Sequence, residues 1–266
     1  MNNSPIGIFD SGLGGLTVLQ YLERKLPNES FIYFGDNARV PYGNKSEKTI
    51  INYSKQICKF LQKHNVKLII IACNTSSALA INELKKQFKV PIFGVIEPAV
   101  LLAENYSFNS NTIVVLGTNA TIKSKAYSKQ FKKLGSTKNI IEKSCPLFVP
   151  IIEEGLISGE IAESIISYYL NNFIDANINQ FILGCTHYPI LKPALQKILG
   201  KKVKLTTSGE ALIPTLITFM KYNKMFSKKN KIETSFFITD FPQKFYELGS
   251  QFFGKELNNI YLINSF

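Results

Sequence analysis

The chain has no tryptophan, two histidines (His64 and His187) and four cysteines (Cys58, Cys73, Cys145 and Cys185), each cysteine standing alone. With no C-x-x-C pair and only one histidine near a cysteine, neither a zinc site nor an iron–sulfur cluster is indicated, and no metal is assigned. Long apolar runs are also missing. Stretches such as residues 68–72 and 113–116 fall far short of the ~20 residues that cross a bilayer, so no membrane association is expected. The N-terminus, Met1-Asn2-Asn3-Ser4-Pro5, lacks the charged region and apolar core of a signal peptide. A cytoplasmic setting without disulfides follows as the expectation.

Acidic residues are scarce, 19 against 31 Lys plus Arg, giving a net charge of +12. Such an excess can mark a nucleic-acid binder or a site for acidic substrates. Here the lysines are spread over helix-like segments, and the one dense group is Lys221, Lys224, Lys228, Lys229 and Lys231. No recognisable nucleic-acid module accompanies them, so they read as a solvated face and nucleic acid is not expected as a partner. What the chain does have is 45% hydrophobic residues over 266 positions, enough for a full core and better divided between two lobes than held in one.

Periodicity then gives the plan. Residues 6–10 form a short apolar run ended by Ser11-Gly12-Leu13-Gly14-Gly15, after which Leu16, Leu19, Leu22 and Leu26 repeat at helical spacing until Pro27. Strands are expected at 31–34, 66–72 and 90–95, with a helix capped by Ser46 and another, capped by Asn74 or Thr75, ending near Phe88. A second pass starts at 112–116, with helices over 122–134 and 153–172, a strand beginning at 140–141, and a strand over 181–183 ended by Gly184-Cys185-Thr186-His187. A helix from about Glu210 to Lys221 and a strand at 236–239 follow. Repeated βα units predict an α/β fold of two similar lobes, each a mainly parallel sheet flanked by helices, with the site in the cleft between them. No low-complexity linker separates the halves, so the chain is expected to cross between lobes more than once: residues 1–98 plus 208–266 for the lobe carrying Cys73, and 99–207 for the lobe carrying Cys185.

Cys73 and Cys185 each follow a strand and precede a helix, where open α/β sheets place their ligands. A thiol so placed is a candidate acid or base, because a helix start favours the thiolate. Cys58, beside Ile57 and Leu61 on an apolar helix face, and Cys145 read as core. His187, two residues after Cys185, can set the protonation of that thiol. Asp10 ends the first strand at the crevice position and can accept a proton. Only one of Glu153 and Glu154 can face inward, and spacing does not choose between them. The Gly12 to Gly15 turn with Asp36 about 20 residues on imitates a dinucleotide fingerprint, but its third glycine is replaced by Thr17. A nucleotide-binding protein is therefore the alternative of a different class.

Seven separated motifs, taken in order, resemble the bacterial glutamate racemases of the aspartate/glutamate racemase family: Phe9-Asp10-Ser11-Gly12-Leu13-Gly14-Gly15, residues 36–43, Ala72-Cys73-Asn74-Thr75, Gly94-Val95-Ile96-Glu97-Pro98, residues 145–150, Glu153-Glu154-Gly155, and Leu183-Gly184-Cys185-Thr186-His187-Tyr188-Pro189. The resemblance implies a cofactor-independent isomerase that interconverts L- and D-glutamate and supplies the D-isomer for peptidoglycan. It makes Cys73 and Cys185 the acid/base pair, with Cys73 acting on D-glutamate and Cys185 on L-glutamate. It marks Glu153 as the carboxylate near the second cysteine, and Asp10, Ser11, Tyr42, Gly43, Asn74, Thr75, Thr118, Thr121, Thr186 and His187 as substrate contacts. Related aspartate racemases carry Thr-Glu after the second cysteine, so Thr186-His187 favours glutamate, with aspartate or another amino acid as the alternative substrate. One departure is Thr207, where the family pattern has an aspartate before Ser208. A homodimer is compatible with the sequence, although no face is marked for it.

Inverting an α-carbon requires removing a proton from one face and returning one to the other, so a base and an acid must flank the substrate. On this reading Asp10 assists Cys73 and His187 assists Cys185. The lobes close over the ligand to exclude water.

Overall fold

The computed structural model describes residues 3–106, 111–174, 176, 178–228 and 232–263. It opens with β1 (Ile6–Asp10), α1 (Leu16–Lys25), β2 (Phe31–Gly35), α2 (Glu47–Lys63), β3 (Leu68–Ile71), α3 (Asn74–Leu79), α4 (Ile81–Gln87), β4 (Ile92–Gly94) and α5 (Ile96–Glu104). A second run holds β5 (Thr112–Gly117), α6 (Asn119–Lys123), α7 (Ala126–Lys133), β6 (Asn139–Ser144), α8 (Phe148–Glu153), α9 (Gly159–Ile174), β7 (Gln180–Gly184), α10 (Lys192–Leu199) and β8 (Lys204–Thr207). Then come α11 (Ser208–Tyr222), β9 (Thr234–Ile238), α12 (Pro242–Phe253) and β10 (Ile260–Leu262).

Among the described residues the strands form two parallel sheets, ordered β10-β9-β2-β1-β3-β4 and β6-β5-β7-β8. Helices flank both, which is the expected two-lobed α/β fold. β1 and β3 are buried along their whole length, as apolar runs covered on both faces must be. Each fully buried Leu or Ile there contributes roughly 1.5–3 kcal/mol. α2 buries Ile50, Ser54, Ile57, Cys58 and Leu61 at helical spacing, and its cap is the expected one, with the Thr49 N–H donating to Ser46 Oγ at 3.3 Å.

Three expected helices are interrupted. The segment after Cys73 breaks at Ala80 into α3 and α4, and its N-cap is Cys73 itself rather than Asn74 or Thr75. Lys125, at φ +57°, splits α6 from α7. Of the helix expected over 153–172, Glu153 closes α8 and the rest begins only at Gly159, because Gly155, at φ +74°, lies between α8 and α9; a left-handed backbone cannot continue a right-handed helix. His64 is half-buried, its ring lying 4.3 Å from that of Phe60. Lys221, Lys224 and Lys228 stand exposed, while Lys229 and Lys231 lie outside the described residues.

In the first sheet β1 has β2 on one side and β3 on the other, so the winding reverses between β1 and β3. In the second, β5 lies between β6 and β7 and the winding reverses between β5 and β7. Such reversals open a crevice beyond the carboxyl ends of the strands. α11 carries the chain from the second sheet back toward the first, packing on α1 and α5. The segment beyond it is tied down by a buried ion pair: the Lys67 ammonium holds Glu29 and donates to the Met225 carbonyl at 2.8 Å, while Glu29 accepts the Ser227 N–H at 2.8 Å. Among the described residues no helix is long and apolar enough to cross a membrane.

Candidate active site

Both crevices hold a cysteine. Asp10 ends β1 with Ser11 just beyond it, and Cys73 follows β3; Thr118 follows β5 and Cys185 follows β7. The two lobes bring these ends together around a cavity of about 60 Å³ lined by Ser11, Val40, Pro41, Tyr42, Gly43, Cys73, Asn74, Thr75, Thr118, Val149, Glu153, Cys185, Thr186 and His187. That volume holds only a few water molecules. A larger groove of about 710 Å³ lies between α4 and α7, lined by neither Cys73 nor Cys185.

On the first side the Cys73 thiol lies 3.8 Å from Ser11 Oγ. Burial and then the nearby Asp10 charge push the thiol up to about 12, against donors at Ser76 and Ser11 that favour the thiolate. Asp10 is wholly buried and does not line the cavity; it stands behind it, accepting the Gly12 N–H at 3.0 Å and the Thr186 hydroxyl at 3.2 Å. Burial holds its carboxyl above the usual carboxylate range, opposed chiefly by the charge of His187. Asp10 is thus placed to influence both the Cys73 thiol and the opposite lobe.

The second side is built from His187 and Glu153. His187 Nε2 lies 3.2 Å from Glu153 Oε1. Burial works against the imidazolium, but its hydrogen bonds to Cys185 and Glu153 outweigh this and raise it to about 10. The same hydrogen bond holds Glu153 below the usual carboxylate range, against burial. Of the two adjacent glutamates, Glu153 faces inward and Glu154 is exposed.

Hydroxyls and amides close the seam between lobes. Thr75 Oγ1 lies 3.0 Å from Thr118 Oγ1 and 3.2 Å from Thr121 Oγ1, and Thr118 and Thr121 are 3.0 Å apart. Thr121 supports this triangle without lining the cavity. Asn74 Nδ2 donates to Tyr127 OH at 2.9 Å and to Ser208 Oγ at 3.2 Å, contacts that no sequence pattern announced. The Tyr42 hydroxyl is held by Asp36, which also binds Arg39 Nε at 2.7 Å and accepts the Thr239 hydroxyl at 3.2 Å. Thr207, the departure from the family pattern, caps α11 by accepting the Glu210 N–H at 3.3 Å. A threonine can serve as N-cap much as an aspartate does. Val40, Pro41 and Val149 add apolar walls that sequence reasoning did not single out.

The glycine turn has a different use from the one its fingerprint suggests. A side chain at Gly14 would place its Cβ 2.3 Å from Thr186 Oγ1 and 2.4 Å from His187 Nδ1, so this glycine lets one lobe press against the other. Thr17, where a fingerprint would have its third glycine, donates its hydroxyl to the Thr186 carbonyl at 2.8 Å. Among the described residues no group of three or more His, Cys, Asp or Glu side chains is arranged to hold a metal ion.

Two parallel α/β lobes thus meet at a cleft with a thiol at each switch point. The chain belongs to the Asp/Glu/Hydantoin racemase family, whose model matches residues 13–215, and it is an isomerase of that kind. It is 39% identical over 260 residues to the glutamate racemase of Geobacter metallireducens, covering 97% of this chain and 96% of that one. With the glutamate racemase of Aquifex aeolicus it shares 47% identity over 216 residues, 81% of this chain and 83% of the relative. Among solved structures it is similar to glutamate racemase from Francisella tularensis subsp. tularensis SCHU S4 in complex with D-glutamate, at TM-score 0.92 and 42% identity, covering 99% of this chain and 98% of that one.

Proposed function

We propose that this racemase interconverts L- and D-glutamate without a cofactor, Cys73 and Cys185 working as base and acid on opposite faces of the α-carbon. The observation that carries the proposal is the placement of the two thiols, one from each sheet, on one cavity, with Asp10 behind the first and His187–Glu153 behind the second. The thiolate on one side takes the α-proton and becomes a thiol. The thiol on the other side gives its proton to the opposite face and becomes a thiolate, and the roles exchange for the other enantiomer. His187, as imidazolium, supplies positive charge beside Cys185. Asp10 receives or holds the proton of Cys73, whose thiol is otherwise too weak an acid to ionise readily at neutral pH. Ser11, Tyr42, Gly43, Asn74, Thr75, Thr118 and Thr186 make up the polar surround that binds the substrate carboxylates and ammonium, with Thr121 behind them holding Thr75 and Thr118 in place.

Glutamate is favoured by the curated relatives and by Thr186-His187 in place of the Thr-Glu of aspartate racemases. The Gly14 contact with Thr186 and His187, and the engagement of Asp36 by Arg39 and Tyr42, argue against a nucleotide on the glycine turn. In this reading the D-glutamate formed supplies peptidoglycan, and the free thiols call for a reducing, cytoplasmic setting. The test is a circular-dichroism time course with each glutamate enantiomer, a chelator present and nothing else added. Both signals should decay to zero. A flat trace with glutamate and decay with aspartate would reassign the substrate, and flat traces with both would sink the proposal.

A further inference from the structure

We propose that Lys244, on the C-terminal helix α12, is a positioning residue for the His187–Glu153 pair, closing the cleft mouth across the lobes and setting how firmly His187 holds its proton. One carboxylate is divided between two cations: Glu153 Oε1 meets His187 Nε2 at 3.2 Å, and Glu153 Oε2 meets Lys244 Nζ at 3.7 Å. Glu153 lies on α8, which follows a strand of the second sheet, whereas α12 joins two strands of the first. The ion pair therefore spans the lobes. It also stands at a partition, because Glu153 and Val40 line both the catalytic cavity and an outer hollow of about 210 Å³ whose walls include Leu13, Phe241, Lys244 and Phe245.

The helix that carries Lys244 is itself fixed. Phe245 packs 6.2 Å from the Tyr33 ring, and Phe252 stands edge-on to His187 at 5.6 Å. Lys244 thus ties α12 of the first lobe to the carboxylate that holds His187 in the second.

The charged and titratable groups facing this imidazole are Asp10 from the end of β1, Cys185 beyond β7, Glu153 from α8 and, through Glu153, Lys244 from α12. Lys244 neutralises part of the Glu153 charge that favours the imidazolium, so its removal should strengthen the hold of His187 on its proton. The ammonium side chain is 48% exposed and the carboxylate side chain 29%, so water screens the pair and the effect is modest, an upward move of about 0.2–0.7 pH unit.

The chain has only two histidines, which makes the proton readable without any substrate. Histidine NMR titrations of the wild type, Lys244→Met and Lys244→Arg, with His64→Gln to assign the resonances, give the direct measurement. Lys244→Met should titrate His187 higher by that amount and Lys244→Arg should restore the wild-type curve. In a Glu153→Gln background Lys244→Met should add nothing. An unchanged His187 in Lys244→Met, the same shift in Lys244→Arg, or a persisting shift in the Glu153→Gln background would overturn the proposal. The catalytic consequence rests on the racemase reading: the alkaline limb of kcat/KM should move with the His187 titration. An inactive wild type would count against that reading alone, since the titration does not depend on glutamate.

Discussion

Gly14→Ala is a one-methyl test of how the site is held together. The new Cβ would fall 2.3 Å from Thr186 Oγ1 and 2.4 Å from His187 Nδ1, where non-bonded atoms stand about 3.5–4.0 Å apart. The lobes or the imidazole must therefore give way by about 1 Å. A misplacement of that size at catalytic groups costs about 10²-fold, or ~2.7 kcal/mol in kcat/KM. Overpacking of the seam should cost about 1–3 kcal/mol of stability besides. The assay is the dichroism time course with glutamate, run beside a thermal melt. Gly135→Ala is the control: it sits at φ +72° with nothing within 4 Å of the added carbon, so it should lose ~1–2 kcal/mol of stability from backbone strain alone while keeping kcat/KM. Wild-type kcat/KM in Gly14→Ala, or an equal loss in Gly135→Ala, would refute the reasoning.

Because the enantiomers are equally stable in water, kcat/KM must be equal in the two directions. Cys73→Ser and Cys185→Ser should each lower it equally for L- and D-glutamate, by at least ~10²–10⁴-fold, and near-normal turnover of either variant would exclude the two-thiol mechanism. The imidazolium of His187 is held at about 10 against an ordinary value of ~6.5. It contributes stability that is fully present below about pH 6.5 and lost as the pH rises through about 10. Denaturation between about pH 7 and 10 should show that decline in the wild type and a shallower one in His187→Asn; equal slopes would contradict it. Lys67→Met leaves Glu29 buried with its charge uncompensated, the pair being 0% and 2% exposed. It should cost about 3–5 kcal/mol and roughly 10 °C of melting temperature, and a loss below about 1 kcal/mol would show the pair to be dispensable.

Much of this architecture could be read in the sequence wherever burial leaves a strong pattern. The all-apolar strand Leu68–Ile71 and the strand Thr112–Gly117 announce themselves, and the polar residues just beyond them mark the crevice. Helix breaks were harder, since Lys125 adopts φ +57° for tertiary reasons that its residue type does not signal. The three-residue strand Ile260–Leu262 and the mixed-polarity strand Lys204–Thr207 carry too little periodicity to be recognised. At the site, Cys73, Asp10 and His187 were visible because each sits at a strand end. Tyr127 and Ser208 were not, because they reach Asn74 from separate helices, 53 and 134 positions away. The choice of Glu153 over Glu154 depended on the turn of α8, and the reach of Lys244 on where α12 docks.

The central claim is that each thiol serves one face of the substrate, and proton exchange in heavy water tests it most directly. Cys73→Ser and Cys185→Ser would be incubated with each glutamate enantiomer, and deuterium at the α-carbon followed by NMR. The account predicts that each variant exchanges one enantiomer with retention of configuration, and that the two variants choose opposite enantiomers. Exchange of the same enantiomer by both, or racemisation at the wild-type rate by either, would contradict it.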